Sequence, residues 1–168
     1  MHITSFLIMG VAGCGKTTVG RLLADRLQWD FFDADDFHPS ANIAKMEAGI
    51  PLDDSDRAPW LASLNGMLLS TLQSGRHPVL ACSALKESYR AVLRQRVDGL
   101  QVVYLKGSYE VILSRLADRQ GHYMKPEMLR SQFETLEEPS DALVLDVRLG
   151  VERIVDEIKK TCIVDLQR

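Results

Sequence analysis

Residues 10–18 read Gly-Val-Ala-Gly-Cys-Gly-Lys-Thr-Thr, with Gly10, Gly15, Lys16 and Thr17 in the spacing Gly-x-x-x-x-Gly-Lys-Thr. These residue types do phosphate chemistry. The glycines allow a tight turn that aims backbone N–H groups inward at an anion. Lys16 supplies a point charge for the β- and γ-phosphates of ATP, and the Thr17 hydroxyl offers a ligand to Mg²⁺. Gly10, Gly13, Cys14, Gly15, Lys16, Thr17 and Thr18 are therefore assigned to the nucleotide, with Lys16 also catalytic. Cys14 reads first as a small residue that the loop has room for; the alternative is a reactive thiol, since loop amides and Lys16 could lower its pKa.

A second group of residues supplies the acceptor side. "DFFDADDFH" ends an apolar run in carboxylates. Read as a strand over 30–35, it points Asp33 and Asp35 to one side and Asp36 to the other. Asp35 is assigned as the base that orients and deprotonates an acceptor hydroxyl, and Asp33 as the carboxylate that holds waters of the metal. Arg57 precedes a helix, and Ser83, Lys86 and Arg90 follow the third apolar run. Lys86 and Arg90, four apart, are expected on one helix face, with Arg94 beyond them as a surface charge. Such cations beside a carboxylate-bearing strand end suit a small anionic, hydroxylated acceptor. Arg115 and Arg119, one helical turn apart, are candidates to clamp phosphates, stack on adenine or stabilise charge during transfer. His122 follows them.

Positioning these groups needs alternating strands and helices. Strands are expected at 3–9, 30–35, 78–83, 100–105 and 142–147. Helices are expected at 16–27, 42–49, 58–75, 86–97, 108–119, 126–138 and 150–161. Trp60, Met67 and Leu68 read as core of the longest helix. The pattern predicts an α/β fold of three layers, a five-stranded parallel sheet with helices on both faces. The 168 residues suit one domain. The charged stretch 119–140 is the candidate for a mobile lid.

Composition narrows the function classes. A net charge of −3 gives no basic excess for nucleic acid, and no apolar run is long enough for a membrane span. The N-terminus lacks the pattern of a signal peptide. Cys14, Cys82 and Cys162 suggest neither a disulfide framework nor a zinc site, which fits a cytoplasmic setting. No Asn/Thr-Lys-x-Asp guanine reader follows, which argues against a GTPase switch. The third strand ends "LACSALK" without the acid of a motor ATPase, so a small-molecule kinase leads. A nucleotide-dependent regulatory module without kinase activity is the alternative of another class.

The segments "MGVAGCGKTT", "DADDFHPSANIAKMEAGIPLDDSDRAPWL", "CSALKESYRAVLR", "YLKG" and "RQGHYMKPEMLRSQFETLEEP" closely resemble the bacterial gluconokinases over residues 5–146. The resemblance implies a P-loop kinase related to adenylate and shikimate kinases, phosphorylating D-gluconate at its 6-hydroxyl with ATP and Mg²⁺. It also implies a cytoplasmic homodimer with a mobile lid. Within it, Asp35, His38, Arg57, Ser83, Lys86, Arg90 and His122 fall on the substrate side, and Arg119 is catalytic. Kinases for shikimate or another aldonate remain alternatives. The chain departs from the family at Ala12 and Cys14, where serines are usual, at Ala34 in place of glycine, and at Tyr123 in place of phenylalanine.

Overall fold

A computed structural model describes residues 2–118 and 126–162. Five strands, β1 (Ser5–Met9), β2 (Asp30–Asp33), β3 (Pro78–Ala81), β4 (Leu100–Lys106) and β5 (Leu143–Asp146), form one sheet in the order β2-β3-β1-β4-β5. Every neighbouring pair is parallel. The helices among the described residues are α1 (Lys16–Leu27), α2 (Ser40–Glu47), α3 (Asp54–Gln73), α4 (Glu87–Arg94), α5 (Tyr109–Ala117), α6 (Pro126–Thr135) and α7 (Val151–Cys162).

The strand period divides the core. Phe6, Ile8, Val79, Val103 and Leu105 face α1, α5, α6 and α7, whereas Leu7, Met9, Leu80, Val102 and Tyr104 face α3 and α4. All five residues of β1 are buried, as befits a central parallel strand covered on both faces. Because β1 lies between β3 and β4, the chain leaves it at the point where the strand order reverses. A crevice at the carboxyl ends of the strands opens there, where open parallel sheets bind ligands.

Most element boundaries differ from the sequence expectation by one to four residues, and three of the differences have a plain local cause. β2 stops at Asp33, because the next residues wind into a single 3-10 turn, Ala34–Phe37, capped by the Asp33 carboxylate. Helix α3 starts at Asp54 rather than 58. Asp53 and Asp56 form a reciprocal capping box that satisfies its first N–H groups, so Pro59 falls inside the helix and not in its first turn. Helix α4 starts at Glu87 with Lys86 as its N-cap residue.

Candidate active site

The glycine loop joins β1 to α1 and is built by steric exclusion. Gly10 has φ +147°, and a Cβ there would lie 2.7 Å from Cys14 Sγ and 2.8 Å from the Leu105 carbonyl oxygen. Gly13 has φ +79° and is pressed against Leu116. Only glycine meets both demands. Gly15 is the N-cap residue of α1, so the positive end of the helix faces into the loop. Lys16 Nζ donates to the Val11 carbonyl oxygen at 3.1 Å, folding its ammonium over the loop. Thr17 and Thr18 are exposed in the first turn of α1. The Thr17 hydroxyl donates to Asp33 Oδ2 at 2.8 Å, a contact that ties the loop to the end of β2.

The structure favours the small-residue reading of Cys14 over the reactive thiol. The side chain is 1% exposed and packs in the apolar core. Burial pushes its pKa up, and the opposing charge of Lys16 does not reverse the direction. Iodoacetamide should therefore modify Cys14 slowly in the folded chain, at the same rate with and without ATP. Fast modification that ATP suppresses would restore the reactive reading.

Asp33 and Asp35 do meet, though not by strand alternation. The 3-10 turn folds Asp35 back, and its backbone N–H donates to Asp33 Oδ1 at 3.1 Å. The turn is pinned by Trp60, whose indole N–H donates to the Ala34 carbonyl oxygen at 2.8 Å. Burial by the surrounding protein and the neighbouring Asp33 raise the pKa of Asp35, while His38 and Lys16 oppose them. The His38 ring stacks on Trp60 at 4.3 Å between centroids. Burial lowers the His38 pKa, Asp35 works against that, and Arg57 adds to it.

Lys86 and Arg57 converge on residues the sequence reading passed over. Lys86 Nζ lies 3.0 Å from a carboxylate oxygen of Asp54, which also accepts from the Tyr89 hydroxyl. Arg57 donates to the Leu52 carbonyl oxygen at 2.7 Å, and its guanidinium lies 5.8 Å from the centre of the Tyr89 ring. Asp54 was legible only as part of an acidic run. Tyr89 sits three residues after Lys86, on the first turn of α4, close enough in sequence to signal that the two act together. Ser83 lies just past β3, where its carbonyl oxygen accepts the Gly10 N–H at 3.4 Å. Arg115 donates to the Val147 carbonyl oxygen at 2.6 Å, joining α5 to the segment after β5.

Arg90 is a correction. It was expected to reach the acceptor beside Lys86, but its side chain is 1% exposed and turned inward. Its guanidinium donates to the carbonyl oxygens of Ala84, Leu85 and Glu137 and pairs with Glu87. Lys86 is not within the helix, so the two do not share a helix face. Arg94 bridges Glu87 and Asp141. Arg119, His122 and Tyr123 lie outside the described residues. The described part of the 119–140 stretch is docked on the core through fully buried Leu129 and through a hydrogen bond from Glu137 N–H to the Leu85 carbonyl oxygen at 2.8 Å. A groove of about 680 Å³ lined by Lys106, Ser108, Phe133, Glu138, Asp146 and Arg148 contains no glycine-loop residue, and its charges pair internally.

A phosphate-binding loop at the switch point of a parallel sheet, joined by Thr17 to carboxylates at the end of β2, one strand beyond β3, defines a P-loop kinase. The family model described as shikimate kinase matches residues 12–162. A probable gluconokinase of Mus musculus is 46% identical, over 90% of this chain and 91% of that protein. The thermoresistant gluconokinase of Escherichia coli is 44% identical, over 89% of this chain and 88% of that protein. The crystal structure of a gluconokinase from Sinorhizobium meliloti superposes with a TM-score of 0.82 at 42% identity, covering 93% of this chain and 90% of that one. The chain belongs to the gluconokinase family.

Proposed function

We propose that the protein transfers the terminal phosphoryl group of ATP to the 6-hydroxyl of D-gluconate, giving 6-phospho-D-gluconate and ADP. The observation that carries this reading is the Thr17–Asp33 hydrogen bond. It holds the donor loop against the turn that carries the acceptor carboxylate Asp35. Family membership supports the choice of acceptor.

The chemistry follows from charge and position. Transfer breaks the bond between the terminal phosphorus and its bridging oxygen, forms a bond from that phosphorus to the acceptor oxygen, and leaves the electron pair on ADP. Loop N–H groups and the Lys16 ammonium neutralise phosphate oxygens as charge shifts toward ADP. Asp35 accepts the hydroxyl proton late in a loose transition state. His38, Arg57, Ser83 and Lys86 are the side chains proposed to bind the sugar acid. Its carboxylate competes with Asp54 for Lys86. Arg115 is proposed to serve the nucleotide, and Arg119 and His122 keep the roles that the resemblance implies.

The donor set also fits Mg²⁺. A threonine hydroxyl and a carboxylate lie within 2.8 Å, both hard oxygen donors. No group of three His, Cys, Asp or Glu side chains that could cage an ion occurs among the described residues. An ion that takes its other ligands from phosphates and water needs no such cage. Thr17 would bind it through the hydroxyl and Asp33 through its waters; when bound, Mg²⁺ offsets charge on the β- and γ-phosphate oxygens.

A cytoplasmic homodimer completes the proposal. The three cysteines are free, which supports a reducing setting. Among the described residues no helix is long and apolar enough to cross a membrane.

Steady-state kinetics with a panel of sugar acids tests the acceptor. Gluconate should exceed glucose in kcat/KM by at least about 100-fold, because glucose leaves the cationic side of the site without its carboxylate partner. Comparable turnover of the two would defeat carboxylate recognition. Preference for shikimate or another aldonate would keep the kinase and change its substrate.

A further inference from the structure

Gln132, on α6, reaches a donor of the glycine loop that is 120 residues away in the chain. Its Oε1 accepts the Ala12 backbone N–H at 2.7 Å. Two other donors of the loop are satisfied within the loop itself: Cys14 N–H and Lys16 Nζ both donate to the Val11 carbonyl oxygen. The carboxamide oxygen thus occupies a loop N–H that an incoming phosphate oxygen would otherwise be able to take. Among the described residues, no hydrogen bond uses the Nε2 donors of Gln132.

We propose that Gln132 is a direct contact of the terminal phosphoryl group, switching from acceptor to donor when ATP binds. A phosphate oxygen that takes the Ala12 N–H must displace Oε1. A carboxamide carries an acceptor and two donors on one rigid plane, so a half-turn about its last bond replaces oxygen by N–H. The same side chain then donates to the incoming anion, with no change of charge. Glutamate has the same shape and accepts equally well, but as a carboxylate it has no proton to donate and repels phosphate.

The rest of α6 keeps Gln132 within reach. Leu129 is fully buried one turn before it. Phe133 packs edge-on against Tyr109 with ring centres 5.8 Å apart. Beyond the helix, Glu137 is held by hydrogen bonds to Leu85 and from Arg90. The side chain is therefore presented by an anchored helix rather than by a free loop.

The inference rests on the glycine loop as the phosphate site of ATP, and not on gluconate as acceptor. Its test compares wild type, Gln132→Glu and Gln132→Ala in the full chain with Mg²⁺. The readouts are Kd for a non-hydrolysable ATP analogue, Kd for ADP, kcat with gluconate, and a melting curve. Gln132→Glu should weaken the triphosphate by about tenfold or more, the scale of losing a charge-assisted hydrogen bond and adding repulsion. It should leave ADP within about threefold and lower kcat further than Gln132→Ala does. Gln132→Ala should weaken the triphosphate by a smaller factor, with ADP again spared.

A brace that merely props the loop predicts a different pattern. Gln132→Glu would then match wild type while Gln132→Ala loses both nucleotides alike, and that result would overturn the proposal. Equal triphosphate affinity in all three proteins would overturn it too. A wild type that binds the triphosphate but phosphorylates no sugar acid would sink the acceptor assignment alone, because the two binding constants need no acceptor.

Discussion

Asp35→Asn is expected to lower kcat with gluconate by about 10²–10⁴-fold, the range for removing a positioned general base. ATP affinity should stay within about threefold, because the phosphate donors are loop amides and Lys16 rather than Asp35. Asparagine keeps the size of the side chain but cannot take the proton of the acceptor hydroxyl. The pH profile adds an independent signature. Burial and Asp33 raise the pKa of Asp35 above its ordinary 3.8. The acid limb of kcat/KM in the wild type should therefore lie above the normal aspartate range and vanish in the variant.

The same shift bears on stability. A folded state that raises a carboxyl pKa binds the proton more tightly than the unfolded chain does. The ionised Asp35 thus opposes folding at neutral pH, and the opposition fades as pH falls through the folded value. Asp35→Asn should melt at or above the wild-type temperature at pH 7, which separates lost chemistry from lost structure. Full activity in this variant would remove Asp35 from the mechanism.

Arg90→Ala should produce the largest loss of stability among the substitutions considered, about 3–5 kcal/mol. The change strips donors from the carbonyl oxygens of Ala84, Leu85 and Glu137 and empties the volume of a fully buried side chain. Ala84 has φ +45°, an uncommon conformation for alanine, and the guanidinium holds the carbonyl of that residue. For a chain of this length the melting temperature should fall by about 6–20 °C. Lysine cannot substitute, since one ammonium does not reproduce the planar fork that serves three carbonyl groups and Glu87. A variant that melts within about 2 °C of wild type, a loss of no more than about 1 kcal/mol, yet loses gluconate affinity would return Arg90 to the substrate side.

Much of the scaffold could be read from periodicity. Helix α1 begins and ends where its apolar spacing and the glycine loop place it, at Lys16 and Leu27. The five strands were visible as short apolar runs, although their ends were not. The start of α3 was missed because Asp53 and Asp56 look like a solvated acidic run until their reciprocal hydrogen bonds are known. The end of β2 was missed for a related reason, since the carboxylate of Asp33 folds the chain into a turn where alternation suggested a continuing strand.

Contacts between distant segments were less legible than the elements themselves. The pairing of Lys86 with Asp54 and of Ala12 with Gln132 depends on sheet order and helix docking, which local patterns do not encode. The inward turn of Arg90 is of the same kind. Its sequence spacing from Lys86 suggested a shared helix face, but the chain enters α4 only after Lys86. Sequence spacing thus located the charged residues, while tertiary packing decided which of them remain free to meet a ligand.

The most direct test of the central claim is the ³¹P NMR spectrum of the product formed from ATP and gluconate. The account predicts a new phosphate monoester resonance, split by the two protons of a primary carbon, that appears only when both substrates are present. A resonance split by a single proton would place the phosphate on a secondary hydroxyl, and inorganic phosphate alone would mean hydrolysis; either result would contradict transfer to the 6-hydroxyl.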